Sequence, residues 1–177
     1  MIDWQKIERV LVDSSEPAIK AFFELHPRES VSAIGYVFEL WNCYPSFDLV
    51  ANTRDYYQRS ITEYRRKWPD SDTTDDEFRC NSGNFQYPAC LIIGNELGPE
   101  WESESERLHA LAAVEEHFDE VHTGIVRICT GSLVALAQRG VFGDFNTIDF
   151  IVQEYDDRWS TVKERDLTIH RLLQSTD

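Results

Sequence analysis

Cations, paired cysteines and long oily runs are all scarce in this chain, and each scarcity removes a class of function. Lys and Arg number 17 against 32 Asp and Glu, a formal charge of −15 over 177 residues. Such a surface repels phosphate backbones and anionic lipid, so neither nucleic acid nor a membrane is an expected partner. No stretch of about 18 apolar residues occurs, and the opening MIDWQKIERVLVDSSEP has neither the basic start nor the apolar middle of an export signal. A cytoplasmic location is the expectation. Cys43, Cys80, Cys90 and Cys129 stand far apart with no Cys-x-x-Cys pair. That spacing argues against a zinc knuckle or a thioredoxin-type motif and for buried free thiols. The common acyl-transfer and nucleotide signatures, Gly-x-Ser-x-Gly, Gly-x-x-x-x-Gly-Lys and Gly-x-Gly-x-x-Gly, are also missing.

What is present suffices for a core. Hydrophobic residues make up 42% and aromatic residues 12% of the chain, enough to offset the entropy of ordering it, and the length suits a single domain over 1–177. Trp4, Ile7 and Leu11 carry helical spacing. Ser14 or Ser15 can cap a second helical stretch with Pro17 in its first turn, so one bent helix and two helices are both open. Ala18, Phe22 and Leu25 continue an apolar stripe until Pro27, which disfavours helical geometry at His26 and predicts the helix end there. Val31 to Trp41 is apolar on both faces, with Ile34, Tyr36, Phe38 and Leu40 against Val31, Ala33, Val37 and Trp41. That pattern predicts a central strand, with Gly35 marking a bulge or a close helix approach.

Phe47 to Thr53 reads as its antiparallel hairpin neighbour, connected through Pro45. Asn52 or Thr53 then caps a helix whose stripe of Tyr57, Ile61, Tyr64 and Trp68 has core spacing and stops at Pro69. Asp70 to Glu77 is an acidic connection, and the stretch from Asn81 to Trp101 is irregular or holds a short strand near Cys90 to Ile93. Ser103 and Glu106 form a capping-box pattern for a helix to about Val121. Gly124 then breaks or bends the chain before further helix to a Gly140 cap. Ile148 to Asp156 predicts a strand and Val162 to Leu173 a closing helix. The sum is an α+β domain, a small and mainly antiparallel sheet packed against several helices.

Candidate chemistry is thin, and no catalytic residue, metal ligand or cofactor is expected from it. Glu106 with His109, and Asp119 with His122, have the i,i+3 spacing of Glu-x-x-His ligand pairs. Placed on one helix the two pairs lie about 20 Å apart and cannot share a metal pair. Cys129 falls in phase with Ile125 and Ile128 and is read as packed. His26 at a helix exit favours the helix dipole when protonated, an ordinary structural role. Were a cleft to exist, His26, Asp144 and Asp149 would be the candidates for a small-molecule or hydrolytic enzyme.

The assembled order, with FFELHP at Phe22 to Pro27, NTRDYY at Asn52 to Tyr57 and GVFG at Gly140 to Gly143, resembles the bacterial domain-of-unknown-function (DUF) family four-three-zero-three across nearly the whole chain. The resemblance implies no activity and carries no catalytic residue. Small acidic bacterial proteins of this general kind often serve as immunity or partner-binding modules. The functional expectation is therefore a non-enzymatic module that meets a basic protein through Asp70, Asp72, Asp75, Asp76 and Glu77, and through Glu100, Glu102 and Glu104, with Trp101 as the aromatic anchor.

Overall fold

A computed structural model describes residues 2–39, 46–93, 99–143 and 147–154. The first element, α1 (Trp4–Leu25), is one continuous helix with Pro17 inside it. Pro17 lies on the exposed side, so the hydrogen bond it cannot make faces water. Asp3, not a serine, caps the helix by accepting the Lys6 N–H at 3.0 Å. Ile7, Leu11, Ser15, Ile19 and Phe22 form the buried face. Leu25, which the apolar spacing assigns to that stripe, is 79% exposed, and Phe23 turns inward instead. The helix ends where Pro27 predicts: His26 is extended, with its N–H on the Phe22 carbonyl at 2.9 Å.

Four strands, β1 (Val31–Glu39), β2 (Ser46–Thr53), β3 (Tyr87–Ile93) and β4 (Asp149–Glu154), form one sheet in the order β3-β2-β1-β4. β1 pairs antiparallel with β2, and β2 with β3, while β4 lies parallel to β1. The sheet is thus mainly antiparallel, and β1 is central, as its two apolar faces require. Trp41 and the Pro45 connection fall outside the described residues, as do Asp144 and the Val162 to Leu173 segment.

The alternation of β1 breaks at one point. Val31 pairs with Thr53 and Ala33 with the adjacent Asn52, which leaves Ser32 as an extra residue, a β-bulge. The bulge shifts the phase of everything before it. Val31 joins Ile34, Tyr36 and Phe38 in the main core, whereas simple alternation groups it with Ala33 and Val37. Gly35 marks neither a bulge nor a helix approach. It lies flat against β4, where an added Cβ would collide with the Ile151 backbone.

Helices cover both faces. The main core lies between the sheet and α1, with α5 (Glu115–Gln138) beside it and α4 (Pro99–Ala112) packed on α5. On the opposite face a smaller cluster of Ala33, Val37, Val50, Phe85 and Ile151 lies on the side taken by α2 (Arg54–Lys67) and α3 (Asp75–Cys80). Thr53 caps α2, and Trp68 closes it ahead of Pro69. The break expected near Gly124 falls earlier, at Ala113 and Val114, and Ser103 lies a turn inside α4 rather than capping it. Gly124 sits within α5 because the Trp4 ring of α1 occupies the place a side chain would take. α5 ends as expected on Gly140, at φ +71°. The Gly140 N–H reaches the Ala137 carbonyl at 2.8 Å and the Val141 N–H that of Leu136 at 3.1 Å, a Schellman cap. Among the described residues no helix is long and apolar enough to cross a membrane.

Candidate functional site

The acidic run after α2 is an ordered loop that two α2 side chains build. Tyr64 bonds the Ser71 hydroxyl at 2.8 Å and the Thr73 hydroxyl at 3.0 Å. These bonds hold its phenol below the ordinary value. Arg65 donates to the Ser71 carbonyl at 3.3 Å, to the Thr73 carbonyl, and to the Asp75 carboxylate at 3.1 Å. At the far end Thr74 and Glu77 form a capping box for α3, with the Glu77 N–H on the Thr74 hydroxyl at 3.2 Å and the Glu77 carboxylate on the Thr74 N–H. Phe78 packs its ring 5.1 Å from that of Tyr64. The loop is therefore pinned at both ends by side chains rather than by a sheet.

Trp68 stands at the base of this loop and is 55% exposed. Spacing places it in the core with Ile61, but the stripe stays covered only as far as Phe78 reaches, and Trp68 lies past it. Lys67 holds its ammonium 5.6 Å from the Trp68 ring centroid. Asp70 and Asp72, just beyond, are exposed carboxylates.

The remaining expected contact residues disperse. Asp75 is taken up by Arg65 and Glu77 by the cap. Asp76 lies in α3, and Glu100, Trp101 and Glu102 lie in the first turn of α4, their side chains outside the described set. Glu104 is 7% exposed, with one carboxylate oxygen 3.2 Å from Arg107, so it offers little surface to a partner. Leu108 and Ala112 bury α4 in the main core, which puts that acidic run on the other side of the sheet from the α3 loop.

The chemical candidates do not converge. The His26 ring stacks on Phe22 at 4.6 Å and takes a 3.0 Å hydrogen bond with the Tyr87 hydroxyl on the α1 side of the sheet. Asp149 lies on the α2 side, 3.2 Å from Arg79. Cys129 is buried as a thiol, in the phase its spacing predicts. The Glu106–His109 and Asp119–His122 pairs belong to two helices, not one. His122 faces Glu154 at 3.3 Å and Phe38 at 5.5 Å. Among the described residues no three His, Cys, Asp or Glu side chains gather as a metal site would require.

Spacing gives no hint of the pocket around Asp149. A cavity of about 460 Å³ opens between α2, α3 and the first residues of β1 and β4, lined by Ser32, Arg54, Tyr57, Arg79 and Thr147 besides Asp149. Those residues come from four separate segments, and the only trace in the sequence is Asp149 itself. No family model, no curated protein and no solved structure matches this chain.

Proposed function

We propose that this protein is a non-enzymatic, partner-binding module of the cytoplasm, and that it engages a basic protein through the Trp68–Asp72 loop. Trp68 carries the proposal. Tryptophan is the side chain most enriched at binding hot spots, and one left 55% exposed beside two open carboxylates supplies an apolar anchor within an acidic rim. The loop next to it is already held by Tyr64 and Arg65, so docking would order little new chain. The overall charge of −15 favours fast encounter with a cationic partner and rejects acidic ones.

Affinity capture from native extract tests it, using wild type, Trp68→Ala and the Asp70→Asn/Asp72→Asn pair side by side. The expected result is a basic protein retained by wild type, lost with Trp68→Ala, and released from wild type by high salt. Equal retention by all three proteins, or retention indifferent to salt, would refute the proposal.

A further inference from the structure

The cavity beside Asp149 is chemically unlike the rest of the molecule. In a chain with 32 acidic and 17 basic residues, its described lining holds two guanidiniums, Arg54 and Arg79, against one carboxylate, Asp149. Arg54 is fixed by a 2.5 Å hydrogen bond to the Thr147 carbonyl and Arg79 by the Asp149 carboxylate at 3.2 Å, so both cations are held in place. Arg54 is also the first residue of α2, a helix of 14 residues whose positive dipole end therefore lies at the cavity.

A second observation, independent of these charges, points to a ligand. Ser32 is the bulged residue of β1, and the bulge turns it toward the same side as Ala33 and into the cavity lining. It is only 6% exposed, yet its hydroxyl has no hydrogen-bond partner among the described residues. Burying an unsatisfied hydroxyl costs stability, and so does interrupting a central strand pairing. The bulge serves the core by turning Val31 inward, but packing gives no reason for the hydroxyl to lie unsatisfied. A bound acceptor would satisfy the hydroxyl.

We propose that this pocket binds the phosphate group of a small phosphorylated polar molecule. A tetrahedral phosphate accepts donors from several directions at once, which suits a hydroxyl rising from the strand, guanidiniums from two helices and a helix N-terminus. A planar carboxylate would use fewer of them. The cavity volume of about 460 Å³ exceeds what a bare phosphate fills and lies within the usual range for small-ligand sites, leaving room for a polar body near Asp149 and Tyr57.

Thermal-shift and calorimetric titrations of the whole chain test this with glycerol 3-phosphate, ribose 5-phosphate, inorganic phosphate, acetate and chloride at matched ionic strength. At least one ester is expected to give a saturable rise in melting temperature that acetate and chloride do not reproduce, and to bind more tightly than inorganic phosphate. Ser32→Ala should weaken that ester about tenfold, the usual worth of a hydrogen bond to a charged group. The unliganded variant should melt no lower than wild type, because its hydroxyl has no described partner to lose. Arg54→Gln should weaken binding further. A rise produced equally by every salt, no rise with either ester, inorganic phosphate binding as tightly as the esters, or full ester affinity in Ser32→Ala would each overturn the proposal.

Discussion

Tyr36 and Ser15 make the most searching test of how α1 is fastened to the sheet. Both are fully buried, and the Tyr36 hydroxyl donates to the Ser15 hydroxyl at 2.7 Å between the middle of β1 and the middle of α1. Burial also pushes the phenol far above its ordinary ionisation range, so it remains a donor at any ordinary pH. Tyr36→Phe removes the bond but leaves a serine that can turn to its own helix backbone, at a cost of about 1–1.5 kcal/mol. Ser15→Ala is worse, because the phenol is then buried without its acceptor, and about 2–3 kcal/mol is expected. The double variant replaces both partners by apolar groups and should cost less than the worse single change, giving a coupling of at least about 1 kcal/mol. In a chain of this size about 1 kcal/mol corresponds to roughly 2–4 °C in melting temperature. Urea melts of the four proteins at neutral pH measure the cycle. Single costs that simply add, within about 0.5 kcal/mol, would show that the two hydroxyls do not depend on each other.

Gly124→Ala forces a methyl group into the Trp4 ring and should destabilise by about 1–3 kcal/mol in urea, against the roughly 1 kcal/mol gain that helix propensity alone predicts. Thr74→Ala removes the α3 cap and should cost about 1 kcal/mol, with protease nicking between Pro69 and Asp75 as a second readout. Asp48 is held above its ordinary value of 3.8, first by burial and then by the nearby Glu39. A raised native value means that stability is lost as the pH rises through it. Asp48→Asn should therefore melt higher than wild type at pH 7, with an advantage that shrinks toward pH 4; an advantage that grows with acidity would be the wrong sign. In hydrogen exchange, amides of α2 and α3 should exchange well before those of β1 and α5, and equal protection would contradict the unequal cores on the two faces.

Elements governed by local chemistry are legible in the amino-acid sequence. Pro27 marks the end of α1, Thr53 the start of α2 and Gly140 the end of α5, because each acts through its own backbone geometry or through a cap within a few residues. Elements decided by distant contacts are not. Gly124 reads as a break, but the Trp4 ring some 120 residues earlier makes it a close approach. Trp68 carries the spacing of a core residue, yet whether a stripe is covered depends on where Phe78 stops. The bulge at Ser32 has no local signature at all, since it arises from how β1 registers against β2. The acidic residues are visible as a cluster and Thr74 to Glu77 has capping-box spacing, but nothing local shows that Arg65 occupies Asp75.

The two faces of the sheet carry cores of unequal size, and both proposed binding surfaces lie on the side of the smaller one. The α1 and α5 face holds a large, continuous core running from Ile7 to Val152, with the Tyr36–Ser15 bond inside it. The α2 and α3 face holds only Ala33, Val37, Val50, Phe85 and Ile151 as its described buried cluster, and it also carries the exposed Trp68, the side-chain-built acidic loop and the unsatisfied Ser32 hydroxyl. On the two proposals, stability and recognition are separable. Changes in the α1–α5 core should shift unfolding and leave binding at the surviving folded fraction unaltered. Changes at Ser32 or Trp68 should do the opposite, because those side chains add little to the packing that holds the sheet together.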